Sequence, residues 1–557
     1  MVGPNNCGKS RALKDIVKLT CSTEKDIIVV NQALQTIPPN AKSLEDDYGL
    51  KMVTSGQYKG HFRFLGPDLH NEQSPGFALH LNWPRDFDYL VKDQNQFSFG
   101  FASQLTALLS TDNRLTIVSQ SRSAGEVNEA QNLLQVLYSS GSAKELEVRN
   151  LVAKAFPNVD IALDFSSPQQ LEFRVGSDFS HLPTDPRDAR PILEKCGRLD
   201  DQGDGLRSYV GIVVALSTLN RSVFLIDEPE AFLHPPQAFR LGQFIASQAS
   251  LSRQIVVATH SADVLRGIIF QSSDAQIVRI DRIDDSNVVK PLDPAELKKL
   301  SLDPLLSASG VLDGLFYSGV VVTEADADSR FFQSLATKIN SGLDIHFVNA
   351  DNKQTVPKVL AAYKKLGVRC AGIVDIDVLN NAGEFKKQLE AAGITGTDYE
   401  TALASRQKIE NEINATPPAA RLKNILDQIA KIKIMIDEVL PKDSGEHEKV
   451  LSELKRILKR LEADTSAWQV LKKGGVSVLQ SSREEFFKLY QICSAAGLFI
   501  IPSGELETLL SEYGIEWQSD KRGWINSALQ LVPGLNVESN KQPWKFMIDI
   551  INHLIKS

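Results

Sequence analysis

Near its start the chain carries the segment GPNNCGKS, residues 3–10, which matches the pattern GxxxxGK[ST] of a phosphate-binding loop. Its two glycines let backbone N–H groups curl around phosphate oxygens, and Lys9 is expected to reach the β- and γ-phosphates of a nucleotide. The hydroxyl of Ser10 is placed to bind Mg²⁺. A helix beginning at Arg11 would direct its positive N-terminal end towards the phosphates. The segment therefore predicts a P-loop nucleotide site.

Two later segments read as partners of this loop. The apolar run 223–226 is typical of a strand buried on both faces, and the acidic sequence DEPE follows it. Asp227 at the end of this strand would hold Mg²⁺ through water, and Glu228 would polarise the attacking water as a general base. A second apolar run, 254–259, ends at His260, which is expected to contact the γ-phosphate.

A glycine-rich segment, Gly203 to Ser208, precedes an apolar helix that runs to Leu219. The N-terminus of such a helix is an anion site, although an N-capped core helix would have the same pattern. Ser10 and Asp227 are 217 residues apart, so the chain between them holds an insertion, for which residues 128–155 have a helical pattern. The predicted nucleotide contacts are Gly3, Asn5, Asn6, Gly8, Lys9, Ser10, Gly203, Gly205, Asp227, Glu228 and His260.

This order of parts resembles the ABC-type ATPase heads, including the SMC-like group. In that family the glycine-rich signature of one subunit closes on the nucleotide of another. The resemblance therefore implies ATP as the nucleotide, and a homodimer or higher homo-oligomer that forms through the ATPase heads.

The chain changes character after Leu315, where strands and helices alternate in a β-α-β-α-β order that predicts a parallel sheet. The predicted strands span residues 319–323, 345–348 and 371–374. Glu324 follows the first strand, while Asp375 and Asp377 follow the third, which places all three at strand C-terminal ends. Together with Asp328 they form an oxygen-only set that suits Mg²⁺ or Mn²⁺.

This second pattern resembles the TOPRIM domain of topoisomerases, primases and certain nucleases, with Ala325 in place of the usual glycine. An ABC-type head followed by TOPRIM, with a late Gly-x-x-Glu at residues 504–507, resembles the OLD (overcoming lysogenization defect) family of ATP-dependent nucleases over nearly the whole chain. By position the resemblance makes Glu507 the late metal ligand and Glu505 the less favoured choice.

Some members of that family carry a basic residue near the metal site that assists cleavage. The sequence offers no clear equivalent, because Lys472 and Lys473 lie well before the strand at 498–501 that leads into the late glutamates. This gap leaves the strength of the nuclease activity open.

The fold is therefore expected to be α/β, with an ABC-type P-loop ATPase domain over 1–315 and a Rossmann-like TOPRIM domain over 316–557. A helical insertion in TOPRIM is expected at about 400–465. Its apolar residues recur at helical spacing in two runs: Leu422, Ile425, Ile429, Ile432, Ile436 and Val439, then Val450, Leu454, Ile457 and Leu461. This pattern predicts an antiparallel hairpin that packs on its own domain or, alternatively, docks a second subunit or a partner.

Composition limits the class of protein. A formal net charge of −8 over 557 residues excludes a histone-like DNA coat but leaves room for a local basic groove. No apolar run has the ~18–20 residues of a membrane span. Five scattered cysteines argue against a disulfide framework or a zinc site. We therefore expect a cytoplasmic protein without a membrane partner.

Two functions follow as hypotheses. The first is an ATP-hydrolysing, metal-dependent DNA endonuclease, which by its family resemblance would serve antiphage defence, with a dedicated partner protein. Its catalytic residues would be Glu228, His260, Glu324, Asp375 and Asp377, and its metal ligands Ser10, Asp227, Glu324, Asp328, Asp375, Asp377 and Glu507. The second is an ATPase sensor or scaffold whose TOPRIM domain binds DNA or a partner without efficient cleavage. A topoisomerase is a weak third, since no stretch resembles a domain with a nucleophilic tyrosine.

Overall fold

A computed structural model describes the chain as two compact units, Met1–Ser301 and Leu302–Ser557. The described residues are 1–21, 26–33, 40–48, 50–54, 58–69, 81–82, 85–92, 102–123, 130–302, 310–415, 468–515 and 521–556, with a few positions between 426 and 455. No helix in these ranges is both long and apolar enough to cross a membrane. All five cysteines are free thiols.

The first unit alternates short strands with helices. Its strands are β1 (Leu50–Met52), β2 (Phe62–Phe64), β3 (Thr106–Leu109), β4 (Ser121–Arg122), β5 (Asp160–Asp164), β6 (Gln170–Gly176), β7 (Gly197–Arg198), β8 (Val223–Asp227), β9 (Gln254–Ala258), β10 (Ile277–Ile283) and β11 (Ser286–Leu292). Its helices are α1 (Lys9–Cys21), α2 (Ala41–Tyr48), α3 (Arg85–Leu90), α4 (Ser103–Leu105), α5 (Asn113–Thr116), α6 (Leu133–Ser140), α7 (Ser142–Ala155), α8 (Pro186–Leu193), α9 (Asp204–Thr218), α10 (Pro235–Ser247), α11 (Ala262–Gln271) and α12 (Pro294–Leu302).

The parallel sheet that carries the nucleotide site has β8 between β3 and β9. The segment before the P-loop extends this arrangement, because the Thr259 N–H donates to Met1 O and Val2 pairs in parallel with Arg279 of β10. The largest core of the unit forms around α9, where the residues from Val210 to Leu216 are buried against Phe224 and Ile226 of β8. The sheet therefore brings the P-loop and the C-terminal ends of β8 and β9 to one edge.

The second unit is built on another parallel sheet. Its strands are β12 (Gly319–Thr323), β13 (Ile345–Asn349), β14 (Cys370–Val374) and β15 (Leu498–Ile500), in the order β13-β12-β14-β15. Its helices are α13 (Asp326–Ile339), α14 (Val356–Lys365), α15 (Ala382–Ala391), α16 (Gly396–Ala415), α17 (Trp468–Gly474), α18 (Arg483–Ala495), α19 (Lys521–Leu531) and α20 (Trp544–Lys556).

Helices cover both faces of this sheet. Phe331 of α13 and Trp544 of α20 pack with Val321 and Ile373 in one core, while Leu360 of α14 contacts Gly372 from the other face. Strands β12 and β14 are buried along their whole length, as expected for central strands of a sheet covered on both sides. The predicted α/β class, with a parallel TOPRIM sheet following the ATPase domain, is confirmed.

Most of the helical hairpin predicted at 422–461 lies outside the described residues. The described helix α16 opens this region and is fastened to α18. Both carboxylate oxygens of Glu412 accept hydrogen bonds from the residues that precede α18, including the N–H groups of Gln480 at 2.7 Å and Ser482 at 2.6 Å. The start of the insertion is thus anchored to its own unit.

Candidate functional site

The P-loop folds around its own lysine. Lys9 Nζ donates to the carbonyl oxygens of Gly3 and Pro4, each at 2.8 Å, and Lys9 is only 4% exposed. Burial lowers the pKa of Lys9 from its ordinary value. A Cβ at Gly3 would lie 2.1 Å from the Ile280 carbonyl oxygen, so only glycine allows the loop to approach β10 this closely.

Ser10 and Asp227 meet although 217 residues separate them. The Ser10 hydroxyl donates to Asp227 Oδ1 at 2.9 Å. Burial raises the pKa of Asp227, and this hydrogen bond partly offsets the rise. A hydroxyl and a carboxylate oxygen at the end of a P-loop are ligands that Mg²⁺ prefers, so this pair fits the expected cation.

Glu228 and His260 face each other at the ends of the neighbouring strands β8 and β9. His260 Nε2 is 3.5 Å from Glu228 Oε1, and burial lowers the pKa of His260, which favours the neutral imidazole. Glu230 fixes the backbone beneath them, because its carboxylate accepts the Thr259 hydroxyl at 2.7 Å and the His260 N–H at 2.6 Å. Glu230 was not singled out from sequence, although it completes the DEPE motif.

A cavity of about 660 Å³ lies beside the P-loop. Its lining includes Asn5, Asn6, Gly8, Lys9, Ser10, Glu228 and His260 from the predicted set, together with Ile28, Val29, Arg282, Asp285 and Asn287. The Asn287 side chain ties the β10–β11 turn to the loop by donating to Cys7 O at 2.6 Å. The structure thus brings most of the predicted nucleotide contacts to one cavity.

Of the predicted contacts, four do not line that cavity: Gly3, Asp227, Gly203 and Gly205. Gly203 and Gly205 stand at the N-terminus of α9, where a Cβ at Gly205 would lie 2.5 Å from the Phe232 carbonyl oxygen. Gly205 is therefore packed on the loop that follows β8, whereas Gly203 is exposed and a Cβ there would meet no atom within 4 Å.

A buried arginine links these parts and was missed from sequence. Arg114 of α5 donates through Nε to the Ser208 hydroxyl at 2.6 Å and through Nη2 to the Glu228 carbonyl at 2.7 Å. Its Nη1 donates to the Asp227 carbonyl. Burial lowers the pKa of Arg114 to about 10, so the guanidinium stays charged at neutral pH. No spacing rule marks this residue, because it is connected to its partners only through the fold.

In the second unit the predicted carboxylates meet at the ends of β12 and β14. The Asp375 N–H donates to Glu324 Oε1 at 3.3 Å. Burial, reinforced by the nearby charges of Asp377 and Asp328, raises the pKa of Glu324 to about 7. Such a rise marks negative charge that the protein alone does not balance, which is the condition that favours a bound cation.

Asp328 has a structural partner at this point. Its Oδ2 accepts the Ala325 N–H at 3.0 Å in the first turn of α13, so the carboxylate caps that helix. It lies close enough to raise the pKa of Glu324, but its capping bond makes it a weaker candidate ligand than the residues on the strand ends.

The expectation that no basic residue accompanies the carboxylates is wrong, because α17 brings Lys472 to them. Lys472 Nζ is 3.5 Å from Asp377 Oδ2 and 3.2 Å from Glu505 Oε2. Burial lowers the pKa of Lys472, but the carboxylates of Glu505, Asp377 and Asp375 outweigh it and raise the pKa above its ordinary value. A second ammonium, Lys353 Nζ, is 3.7 Å from Asp377 Oδ1.

Glycines explain how a residue so far back in the chain reaches the site. A Cβ at Gly504 would lie 2.1 Å from the Lys472 carbonyl oxygen, and a Cβ at Gly475 would lie 2.3 Å from the Pro502 carbonyl oxygen. The C-terminal end of α17 therefore rests directly on the loop that follows β15. Gly475 and Gly504 are the features of the sequence that could have indicated this close approach.

The choice of Glu507 over Glu505 as the late ligand stays a prediction. Both side chains are buried; Glu505 shares Lys472 with Asp377, and Glu507 lies in the short 3₁₀ helix Leu506–Thr508. Within the described ranges, no three His, Cys, Asp or Glu side chains are grouped closely enough to chelate one cation as they stand. The donor set of Glu324, Asp375, Asp377 and the late glutamates is nevertheless oxygen-only, and in that respect fits Mg²⁺ or Mn²⁺.

Comparison with known proteins agrees with this division of the chain. Residues 128–266 match the family described as "AAA domain, putative AbiEii toxin, Type IV TA system". Residues 315–377 match "Overcoming lysogenization defect protein-like, TOPRIM domain". The chain therefore carries an AAA-type ATPase domain followed by an OLD-like TOPRIM domain, and the predicted pairing is confirmed.

Among curated proteins, the Old nuclease of Escherichia phage P2 is 21% identical over 255 residues, a match that covers 42% of this chain and 42% of the nuclease. Two solved structures also resemble the chain. An SmcHead bound to the C-winged helix domain of ScpA has 11% identity and a TM-score of 0.32, covering 54% of this chain and 90% of that one. The SMC head domain from Thermotoga maritima has 13% identity and a TM-score of 0.26, covering 52% and 89%.

Proposed function

We propose that this protein is an ATP-hydrolysing, metal-dependent DNA endonuclease of the OLD type. The observation that carries the proposal is the cluster at the ends of β12 and β14, where Glu324, Asp375 and Asp377 crowd together with Lys472 beside them. The matched part of the P2 Old nuclease and the OLD-like TOPRIM match support the same reaction class.

In the ATPase unit each side chain has a role that its present contacts prepare. Lys9 would exchange the carbonyl oxygens of Gly3 and Pro4 for phosphate oxygens, and Ser10 with Asp227 would hold Mg²⁺. The bound Mg²⁺ would neutralise charge on the phosphates. Glu228 would accept the proton of the attacking water.

His260, which lies beside Glu228, would contact the γ-phosphate. The low pKa of His260 supports this role, because a neutral ring can donate one hydrogen bond without adding charge. Glu230 would keep the backbone of residues 259–260 in place while the nucleotide binds and leaves.

In the TOPRIM unit Glu324, Asp375, Asp377 and one or both of the late glutamates would hold the divalent cations. Cations bound there supply a polarised water and stabilise the oxygen that leaves in phosphodiester cleavage. Lys472 pairs with two of these carboxylates, and cation binding would release its ammonium towards the DNA phosphate. The raised pKa of Lys472 keeps it positively charged at neutral pH, as this role requires.

The assembly and the biological setting are also proposals. The exposed glycine-rich N-terminus of α9, which does not line the nucleotide cavity of its own chain, supports an ATP-bound homodimer or higher oligomer in which it completes a neighbour's site. An antiphage role with a dedicated partner protein follows from the family resemblance. Light scattering that finds a strict monomer with full ATPase activity would rule out this assembly.

A second function is favoured by one specific observation. Lys353 and Lys472 each lie near a carboxylate of the cluster, and no three acidic side chains converge in the described part of the chain. A TOPRIM domain whose carboxylates stayed paired with these lysines would bind DNA or a partner protein without cutting. ATP hydrolysis would then serve to assemble a complex.

One experiment separates the two functions. Plasmid DNA is incubated with the full chain and Mg²⁺ or Mn²⁺, with and without ATP, and nicked and linear products are measured on gels. The endonuclease proposal expects metal-dependent products that the Asp375→Asn variant does not form. If the wild-type chain forms no product under any of these conditions but still binds DNA, the scaffold function replaces it.

A further inference from the structure

A polar cavity of about 460 Å³ opens next to the TOPRIM carboxylates. It lies between the loop that follows β13 and the first turns of α15, and Lys353 connects it to the cluster. Lys353 lines the cavity while its Nζ is 3.7 Å from Asp377 Oδ1. A ligand in the cavity would therefore sit beside the site of cleavage.

The lining carries more positive than negative charge. Lys353, Lys358 and Lys387 contribute three ammonium groups, and Glu384 is the one acidic residue among the lining side chains. Lys353 Nζ is 3.4 Å from Glu384 Oε2, so this pair is largely balanced. Lys358 and Lys387 are exposed and make no ion pair with any described residue, which leaves their two charges available for an anion.

The wall of the cavity also holds an amide whose hydrogen-bonding capacity is only half used. Gln388 is 1% exposed, and its Nε2 donates to the Lys353 carbonyl at 3.0 Å. Its Oε1 is buried without a hydrogen-bond donor among the described residues. Because an unpaired buried carbonyl costs free energy and a phosphodiester has no hydrogen-bond donor, a water molecule beside the bound phosphate is expected to supply the donor.

We propose that this cavity binds a backbone phosphate of the DNA strand, next to the phosphate that divalent cations would hold at the carboxylates. The inference rests on the proposed function and adds a binding site to it. A phosphodiester fits because it is an anion that recurs along the strand, so one strand could reach both the cations at the carboxylate cluster and the two unpaired lysines.

Two adjacent lysines provide a matched test. Lys386 and Lys387 are neighbours on α15 and both are exposed, but only Lys387 lines the cavity. Fluorescence anisotropy measures binding of a labelled DNA duplex to the full chain in the absence of divalent cations, at several salt concentrations. Thermal unfolding and ATPase activity verify that each variant is folded.

We expect Lys387→Gln to weaken DNA binding about threefold and the double variant Lys358→Gln, Lys387→Gln about tenfold. The slope of log affinity against log salt should fall by about 1 to 2 in the double variant, since it counts lost phosphate contacts. Lys386→Gln should bind like the wild type. Equal losses in Lys386→Gln and Lys387→Gln, or no loss in the double variant, would overturn the proposal.

The other outcomes distinguish this proposal from its premise. If the wild-type chain neither binds nor cuts DNA, the proposed function fails. If the wild-type chain and the double variant cut DNA equally well, only the cavity proposal fails. Inorganic phosphate is added as a competitor. If it displaces DNA from wild type and double variant to the same extent, the cavity holds no strand phosphate, and the proposal fails.

Discussion

The two candidate sites differ in how far the protein satisfies their charged groups. In the P-loop site Lys9 donates hydrogen bonds to two carbonyl oxygens and Ser10 donates one to Asp227, so both side chains already have partners. In the TOPRIM site burial, reinforced by the neighbouring carboxylates, raises the pKa of Glu324 to about 7. The first site is assembled before its ligand arrives, and the second holds a charge imbalance that a cation would relieve.

This difference predicts where substitution has the largest effect. Asp375→Asn removes a ligand from the site that depends on its cation, so we expect nicking of plasmid to fall about 10²–10³-fold. ATP hydrolysis should stay within about twofold, because the nucleotide residues belong to the other unit. Gel-based nicking rates and phosphate release on the same preparation measure both activities.

Asp326→Asn is the matched control for that variant. Asp326 stands in the first turn of α13, close in sequence to Glu324, but it is exposed and pairs with Arg330 at 2.9 Å. It should nick like the wild type. Similar losses in Asp326→Asn and Asp375→Asn would mean that net charge, rather than the strand-end cluster, determines cleavage.

The next largest effects belong to the preassembled site and should separate binding from chemistry. Glu228→Gln keeps the shape of the cavity but cannot accept a proton, so ATP turnover should fall about 10²-fold while ATP still binds. Lys9→Ala removes a phosphate contact and should abolish most nucleotide binding. Equilibrium binding of a fluorescent ATP analogue and steady-state turnover test the pair; unchanged turnover in both variants contradicts the assignment.

A smaller effect is expected at Arg114, which touches no ligand and joins the glycine-rich helix to the carbonyls of Asp227 and Glu228. Arg114→Lys keeps the charge but cannot reproduce the planar fork of three donors. We expect kcat for ATP to fall about tenfold with KM little changed, because a positioning residue acts through Glu228. If KM rises and kcat does not change, Arg114 serves nucleotide binding instead.

The same contrast explains what sequence could and could not foresee. Ser10 is fixed by the P-loop motif, and Asp227, Glu228 and His260 are fixed by motifs at the ends of predictable strands, so the sequence pattern was enough to predict that they meet. Glu324, Asp375 and Asp377 followed the same rule. Apart from Ser10, which lies in the first turn of α1, each of these residues lies at or just beyond the end of a strand, where the topology of a parallel sheet decides the neighbours.

Lys472 and Arg114 obey no such rule. Lys472 comes from a helix beyond a long insertion, and the close backbone approaches at Gly475 and Gly504 help to bring it to the carboxylates. Arg114 is buried by a packing arrangement that also requires glycine at position 211, where a Cβ would lie 2.3 Å from the Arg114 carbonyl oxygen. Residues that reach a site by packing, rather than by strand order, leave only indirect traces in sequence.

The smallest predicted effect of a substitution concerns a carboxylate of the second unit whose negative charge is stabilised by hydrogen bonds. Burial raises the pKa of Glu412, but hydrogen bonds from the residues at 480–482 outweigh it and lower the pKa to about 2, opposite to Glu324 in the same unit. A carboxyl group whose pKa is lower in the folded than in the unfolded state stabilises the fold when the pH is above its unfolded-state pKa of about 4.3. This contribution is lost as the pH falls towards 2. Glu412→Gln should therefore lower the free energy of unfolding by about 1–2 kcal/mol at pH 7. Thermal unfolding at pH 7 and pH 3 measures the difference between variant and wild type, which should shrink at the lower pH. A difference that is the same at both pH values would mean that Glu412 acts by packing and not by its charge, and the contrast with Glu324 would then fail.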